Sequence, residues 1–164
     1  MAKCLVTGGA GFIGSNLVDA LIERGDEVII IDNLSTGKED NINPEAIFHK
    51  LDICDFTSIK DLFNGVDFVF HLAAFARVQP SIEDPVTAND INLNGTLNVL
   101  VAARDAQVKR VVYSASSSAY GDQTQMPLTE NMPAHPLSPY GLQKYVGELY
   151  CRLFFDVYGL NTVS

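Results

Sequence analysis

Short apolar runs alternate along this chain with longer segments in which apolar residues recur at helical spacing. The runs KCLVT at 3–7 and EVIII at 27–31 predict two strands. Between them, Ile13, Leu17 and Leu21 stand at i, i+4 and i+8, the spacing of one face of a helix. Because the strands are apolar on both faces, the pattern indicates a parallel sheet that helices cover on each side.

The alternation continues through the rest of the chain and predicts further strands and helices. The strands are expected at 46–50, 67–74 and 109–116, and the helices near 56–64, 85–105 and 140–157. The pattern therefore indicates an α/β fold with a doubly wound parallel sheet.

The last predicted helix follows a proline-rich loop over 120–139, which is long enough to act as a lid or a binding segment. On this helix, Tyr140 and Lys144 are expected to lie on a flank. The residues expected to face the core are Val146, Leu149, Tyr150, Leu153 and Phe154. After Gly159 the chain begins a sixth strand and then stops, so we expect that more protein follows.

Composition narrows the possible partners. With a net charge of −9 and a pI near 4.6, the chain has no basic field for a polyanion, which disfavours nucleic-acid binding and attachment to anionic lipid. Cys4, Cys54 and Cys151 form no Cys-x-x-Cys pair, so neither disulfides nor a metal site is expected. No stretch is long enough to span a membrane, and we expect a soluble, cytoplasmic protein.

The segment TGGAGFIG at 7–14 follows the first predicted strand and opens the first predicted helix. Glycines in this context let the backbone approach a pyrophosphate, and the free N–H groups of the helix start face the anion. The alternative is a glycine-rich turn without a ligand. The residues expected to contact a dinucleotide here are Gly8, Gly11, Phe12, Ile13 and Gly14.

Two acidic positions follow predicted strands. Asp32 ends the second strand, where a carboxylate accepts bonds from the adenosine ribose and repels a 2′-phosphate, which favours NAD over NADP. Alternatively, Asp32 and Asn33 only cap a turn. Asp52 and Ile53 lie just past the third strand, where the Asp52 carboxylate could reach the adenine, although a loop aspartate explains it nearly as well.

Six motifs in order give the chain a family resemblance that covers its whole length. They are TGGAGFIG, DNLSTG at 32–37, HLAA at 71–74, INLNGT at 91–96, SASSSAYGD at 114–122 and SPYGLQK at 138–144. With them the chain resembles the extended short-chain dehydrogenase/reductase family, and within it the NAD-dependent nucleotide-sugar 4-epimerases. The resemblance implies a Rossmann sheet of order 3-2-1-4-5-6 with the sixth strand only begun, in one NAD-binding domain over 1–164 that lacks the C-terminal substrate domain.

The resemblance also implies roles for individual residues. Ser116, Tyr140 and Lys144 take the positions of the catalytic triad, and the Lys144 ammonium, one turn from Tyr140, favours the phenolate that acts as base. Asn92 is expected to fix the helix after the fourth strand and to belong to the cofactor site. His71 is expected to be a packed structural residue rather than a catalyst. The residues expected to line the cofactor after the fourth strand are Leu72, Ala73 and Ala74, and those expected against the sugar are Ser116, Ser117 and Ser118.

The activity implied is epimerisation of a UDP-hexose or UDP-N-acetylhexosamine by transient oxidation at C4 with NAD. Related dehydratases carry an acidic pair where Ser117 and Ser118 stand, so the usual means of dehydration is missing. Two alternatives stay open, namely a non-catalytic NAD-binding fragment and a related nucleotide-sugar oxidoreductase. Without the substrate half, we expect weak or absent activity from this chain alone. A homodimer through the helices near 85–105 and 140–157 is also implied.

Arg77 and Ser81 fall in a predicted loop after the fourth strand. They could influence the choice of sugar, or they could simply belong to a solvated loop.

Overall fold

One parallel sheet organises the chain. In the computed structural model, which describes residues 1–164, its strands are β1 (Lys3–Thr7), β2 (Glu27–Ile31), β3 (Ile47–His49), β4 (Phe68–His71), β5 (Arg110–Tyr113) and β6 (Thr162–Val163). Their order across the sheet is β3-β2-β1-β4-β5-β6, and every neighbouring pair is parallel. This order confirms the predicted doubly wound sheet.

The helices connect the strands and cover the sheet. They are α1 (Phe12–Glu23), α2 (Phe56–Ile59), α3 (Val78–Glu83), α4 (Pro85–Asn89), α5 (Thr96–Asp105) and α6 (Pro139–Tyr158). Shorter 3₁₀ turns lie at Glu39–Asn41, Lys60–Phe63 and Ser117–Ala119, and a π-helical turn, Asp90–Gly95, joins α4 to α5. The segment 120–138 contains no helix or strand. None of the helices combines the length and the apolar character that crossing a bilayer requires.

The predicted helix near 85–105 has the predicted bounds, because the backbone is helical without a break from Pro85 to Asp105. It is divided into α4, the π-helical turn and α5, and the separate helix α3 precedes it in the predicted loop. The boundary between α3 and α4 has a local cause. The Asp84 carboxylate accepts a hydrogen bond from the Thr87 N–H at 3.0 Å, and Pro85 at the first position has no N–H to satisfy, so a new helix starts there.

The strands bury apolar side chains on both faces of the sheet, as the sequence predicts. On one face, Leu5, Ile29 and Ile31 belong to a core of 18 buried residues that includes side chains of α5 and α6. On the other face, Val6 and Ile30 pack with α1 in a second core of six buried residues. Both faces of the central strands are buried, which explains why β1 and β2 are nearly continuous apolar runs.

α1 turns a face to the core that overlaps the predicted stripe, since Leu17 and Leu21 both pack in the second core. Gly14, Val18 and Leu21 are its buried residues, whereas Ile13 is 64% exposed. Both stripes share Leu21, so apolar spacing alone does not choose between them. The choice follows from Gly14, because a Cβ there would overlap the carbonyl oxygen of Gly8, and this close contact sets the rotation of the helix.

α6 turns a partly different face to the core. Phe154 is buried and Tyr150 packs against the larger core, as predicted, but Leu149 and Leu153 are 46% and 49% exposed, and Lys144 is buried rather than on a flank. The buried residues of the helix are Gly141, Gln143, Lys144, Gly147, Cys151 and Phe154.

Two glycines explain how α6 is seated. A Cβ on Gly147 would overlap the hydroxyl of Tyr113, and it would lie 2.7 Å from the ring carbon Cζ. A Cβ on Gly141 would lie 2.6 Å from the carbonyl oxygen of Ser118. The helix therefore packs directly on β5 and on the 3₁₀ turn that follows it, with its glycine face inward.

Candidate functional site

The carboxyl ends of β1 and β4 mark the point where the direction of strand order reverses in the sheet. β1 pairs with β2 on one side and with β4 on the other, and Thr7 at the end of β1 is in register with His71 at the end of β4. In doubly wound folds, the connections from two such strands leave toward opposite faces, and ligands bind in the opening between them. The predicted site residues follow the carboxyl ends of these strands and of β2 and β5.

The turn after β1 passes directly against the loop after β4. Gly8 has φ 74°, and a Cβ on it would lie 2.7 Å from the backbone N of Ala73. The Ala73 N–H donates to Thr7 Oγ1 at 3.2 Å, which ties the two segments together. The structure thus brings Gly8 and Ala73, predicted separately, into contact.

α1 begins with unsatisfied N–H groups. Its N-cap is Gly11, no side chain caps the helix, and the first turn contains no acidic residue. The side chains of Phe12 and Ile13 are 85% and 64% exposed, so they leave this helix end uncovered. The free N–H groups and the helix dipole suit an anion, and the glycine cradle has room for the backbone to approach it closely. These features fit the pyrophosphate of a dinucleotide.

Asp32 is held rigidly at the end of β2 and is 8% exposed. Its Oδ2 accepts the Ala10 N–H at 3.0 Å, and its Oδ1 accepts the Leu34 N–H at 2.8 Å. The second bond closes a turn in which Leu34 has φ 61°, so the turn-capping alternative describes a real contact. Each carboxylate oxygen retains a further lone pair, and the side chain can still accept from ribose hydroxyls.

Asn33 and Asp52 lie together beside Asp32. The Asn33 Nδ2 donates to Asp52 Oδ2 at 2.9 Å, and the Cys54 N–H donates to Asp52 Oδ1 at 2.8 Å. Burial by itself raises the pKa of Asp52, but these hydrogen bonds outweigh it and the pKa is lowered. Ile53 is 5% exposed and its side chain packs in the core, so only its backbone is available to a ligand.

His71 is the centre of a buried hydrogen-bond chain. Thr96 Oγ1 donates to the Asn92 carbonyl at 2.8 Å, so at its 2.9 Å contact with His71 Nε2 it must accept. Nε2 therefore carries the proton, and Nδ1 accepts from Thr7 Oγ1 at 2.7 Å. Burial first, and the nearby Lys144 charge second, lower the pKa of His71 to about 3. The prediction that His71 is a packed structural residue agrees with this environment.

Asn92 fixes the loop after β4 through its side-chain amide. Its Oδ1 accepts the Phe75 N–H at 2.8 Å, and its Nδ2 donates to the Phe75 carbonyl at 3.3 Å and to Gln143 Oε1 at 2.8 Å. Asn92 is 1% exposed, and its donors and acceptors are occupied by protein groups. Its contribution to a cofactor site is therefore through the position of the loop that contains Leu72 to Ala74.

Lys144 is buried at the carboxyl end of β5 and is 4% exposed. Its Nζ donates to the Ser114 carbonyl at 2.8 Å and lies 4.8 Å from the centroid of the Tyr113 ring. Burial lowers the pKa of Lys144 to about 8, which leaves the ammonium form predominant at neutral pH. Tyr140 precedes it by one helical turn on α6, so both belong to the same helix end.

Ser116 lies on the 3₁₀ turn that contacts this helix end. Its Oγ accepts the Ser118 N–H at 3.2 Å, and its own hydroxyl hydrogen is left available. Ser116 and Ser118 are half-buried, whereas Ser117 is exposed. The structure thus places the three predicted catalytic residues on two neighbouring elements that meet at Gly141.

Ser81 belongs neither to a sugar site nor to a solvated loop. It is 0% exposed on α3, and its Oγ accepts the Tyr140 N–H at 3.1 Å while it donates to the Val78 carbonyl at 2.6 Å. Together with Ser138, which accepts the Gly141 N–H, it satisfies the start of α6. Arg77 is exposed, and its backbone carbonyl accepts the Ser81 N–H at 3.3 Å.

Sequence reasoning missed several residues that build this site. Thr7 bonds to the Ala73 N–H beside the glycine turn, the Ser114 carbonyl bonds to Lys144, and Gln143 bonds to Asn92. The two residues of each pair are 30 or more positions apart in the sequence. For Gln143 a signal existed, because it stands three positions after Tyr140 and so shares a helix face with it. The role of Ser114 depends on a backbone carbonyl, which leaves no mark in the sequence.

Comparison with known proteins gives a consistent result. A sequence model of the NAD dependent epimerase/dehydratase family matches residues 4–164. A protein of Methanocaldococcus jannaschii with the provisional name UDP-glucose 4-epimerase is 49% identical over 163 residues, which are 96% of this chain and 52% of that protein. The chain therefore spans about half the length of the curated relatives that it matches.

Two solved structures share the fold closely. The UDP-glucose 4-epimerase of Thermotoga maritima, solved with UDP-glucose, has a TM-score of 0.95 and 41% identity over 98% of this chain and 53% of that chain. The UDP-glucose 4-epimerase of Thermus thermophilus, solved with NAD, has a TM-score of 0.93 and 40% identity over 99% of this chain and 53% of that chain.

We expect the His71 ring to remain neutral, with its proton on Nε2, from pH 8 down to well below 6.5. The pKa is lowered from 6.5 to about 3, and the unfolded chain still binds this proton near 6.5. As the pH falls below 6.5, binding of this proton by the unfolded chain therefore lowers the free energy of unfolding, by up to about 1.4 kcal/mol per pH unit. Nitrogen-15 NMR of the ring, with urea unfolding at several pH values, measures both effects. A proton on Nδ1, or a ring that titrates near 6.5, would contradict the hydrogen-bond chain.

Proposed function

Because the chain belongs to the NAD dependent epimerase/dehydratase family, we propose that it binds NAD and supplies the catalytic residues of a UDP-sugar 4-epimerase. One observation carries this proposal. The buried Lys144 ammonium lies at the carboxyl end of β5 on the same helix turn as Tyr140, at the sheet edge where α1 presents its uncapped N–H groups.

The cofactor would extend across the crevice between the ends of β1 and β4. Gly8, Gly11, Phe12, Ile13 and Gly14 would hold its pyrophosphate through backbone groups. Asp32 would accept the adenosine ribose hydroxyls, and Asn33, Asp52 and the Ile53 backbone would border the adenine. Leu72, Ala73 and Ala74 would line the nicotinamide side, in the loop that Asn92 fixes. NAD, when bound, would accept a hydride from C4 of the sugar and return it.

The chain's own part in the chemistry is proton transfer and orientation. Tyr140 would take the proton of the C4 hydroxyl and later return it. Lys144 would favour the phenolate electrostatically, since a charge one helical turn away in a buried setting interacts strongly. Ser116, whose hydroxyl hydrogen is not used within the protein, would donate to the same sugar oxygen and fix its position.

A groove of about 940 Å³ beside these residues offers a place for the sugar nucleotide. Ser116, Ser117 and Tyr120 line this groove. Glu130, in the loop over 120–138, lines it as well. No carboxylate occupies position 117 or 118, so the acid and base needed to eliminate water are not supplied there. This favours epimerisation over dehydration, for UDP-hexoses or UDP-N-acetylhexosamines.

A second proposal concerns assembly. We infer that two copies associate through the face formed by α4, the π-helical turn and α6, which together border a groove of about 470 Å³. Leu93, Leu142 and Val146 line this groove, and Val86 and Leu142 are 77% and 51% exposed. Contiguous exposed apolar residues on neighbouring helices are typical of an interface.

Replacing Asp32 by Asn should weaken NAD binding about tenfold. The change puts an NH₂ donor where one carboxylate oxygen stood, although the Ala10 and Leu34 N–H groups both need acceptors there. Loss of the negative charge should also narrow the preference for NAD over NADP. Calorimetric titration of both cofactors measures this, with Asp61→Asn, an exposed aspartate on a 3₁₀ turn, as the control. Unchanged affinity and unchanged discrimination would argue against the assignment of Asp32.

Replacing Tyr140 by Phe in an intact enzyme that includes the substrate half should lower epimerisation about 10³-fold, because the proton acceptor is removed, while NAD affinity stays within about twofold. Product analysis with UDP-glucose and UDP-N-acetylglucosamine measures turnover, and Tyr158→Phe on the exposed end of α6 is the matched control. Full turnover by Tyr140→Phe refutes the catalytic role. Tight NAD binding without any turnover by the unmodified chain supports the alternative of a non-catalytic NAD-binding module.

Replacing Leu142 by Glu should shift the chain from dimer to monomer, because it places a charge at the centre of the apolar groove. Sedimentation equilibrium at several protein concentrations measures the association. Ile47→Glu, at an exposed position on the opposite edge of the sheet, should leave it unchanged. A wild-type chain that sediments as a monomer, or a Leu142→Glu variant that still dimerises, rules out this face.

A further inference from the structure

Gln143 is a buried polar side chain for which the proposed chemistry has no use. It lies on α6 directly before Lys144 and is 4% exposed. Its Oε1 accepts a hydrogen bond of 2.8 Å from Nδ2 of Asn92, a residue 51 positions away that is 1% exposed. A buried amide is costly to leave without a partner, so this bond selects one placement of α6 against the π-helical turn.

The direction of this bond follows from the backbone of Phe75. The Phe75 N–H needs an acceptor, which fixes Oδ1 of Asn92 toward it at 2.8 Å. The NH₂ group of Asn92 therefore faces both the Phe75 carbonyl and Gln143. Gln143 thus holds the asparagine amide in the orientation in which it pairs with the loop after β4.

α6 is held from two directions at consecutive residues. Lys144 bonds to the Ser114 carbonyl at the end of β5, whereas Gln143 bonds to the π-helical turn. Consecutive residues of an α-helix are roughly 100° apart around its axis. Two bonds in such different directions resist rotation of the helix, and rotation is the motion that would displace Lys144 and Tyr140 from the crevice.

We propose that Gln143 is a positioning residue, which couples the loop Leu72–Phe75 to the catalytic helix by orienting Asn92. The role rests on the proposed function, because it concerns the nicotinamide side of the NAD site. Gln143 itself contacts neither cofactor nor sugar and acts through Asn92 and through its neighbour Lys144.

Amide hydrogen exchange tests the structural half of this proposal without a ligand. In Gln143→Met the Asn92 amide loses its buried acceptor, and the Phe75 N–H should exchange about tenfold faster. The N–H of Val69, inside β4, should change by less than about twofold if the fold is intact. Gln143→Glu retains an oxygen acceptor and should retain slow exchange at Phe75. Gln125→Met makes the same chemical change at an exposed loop position and is the control.

Comparison of two ligands tests the functional half. ADP would use only the glycine turn and the Asp32 side of the crevice, whereas NAD also reaches the loop after β4 and Lys144. Gln143→Met should therefore weaken NAD binding about tenfold and leave ADP binding within about twofold. If the methionine side chain prevents folding, Gln143→Ala removes the amide without adding bulk and serves the same comparison.

The outcomes separate this inference from the proposed function. A wild-type chain that binds no NAD overturns the proposed function and the inference with it. NAD binding that is equal in wild type and Gln143→Met overturns the inference alone. Equal losses for NAD and ADP, or faster exchange at Val69 as well as at Phe75, show a general structural role and also overturn it.

Discussion

Parallel pairing of β1 with β2 on one side and β4 on the other is the constraint from which the rest of the site follows. It places the carboxyl ends of these strands at one sheet edge, and the chain then has to leave β1 and β4 through adjacent turns. Those turns pass so close together that Gly8 lies against the Ala73 backbone. The crevice, the uncapped start of α1 and the position of Asp32 all depend on this arrangement.

Buried polar groups make the edge rigid. A chain of hydrogen bonds runs from Thr7 through His71 and Thr96 to the Asn92 backbone, and the Asn92 side chain continues to Phe75 and Gln143. Every fully buried side-chain nitrogen and oxygen has a partner, and a satisfied buried network makes the structure rigid. The segments that would surround a nicotinamide ring are thus held by one connected network.

Burial of Lys144 shows how such a site is obtained at some expense of stability. Burial lowers the pKa of Lys144 from 10.5 to about 8. The unfolded chain therefore binds this proton more tightly, and the contribution of Lys144 to folding is less favourable at neutral pH than it is above pH 10.5. The Ser114 carbonyl and the Tyr113 ring offset part of this cost, because both contact the ammonium.

The apolar runs and helical spacings of the sequence determined the alternating strands and helices of a parallel sheet, the glycine turn and the position of Asp32 at a strand end. The strand order and the roles of Ser116, Tyr140 and Lys144 were implied by the family resemblance of the motifs. Only the tertiary structure decided which faces of α1 and α6 are buried, since several apolar stripes satisfied the helical period equally well. The same holds for the burial of Lys144, the cap that Ser81 provides to α6 and the bond between Asn92 and Gln143. These features depend on contacts between residues far apart in the chain, namely hydrogen bonds to backbone carbonyls, close packing at glycines and bonds between buried amides. Such contacts have no periodicity that a single sequence can reveal.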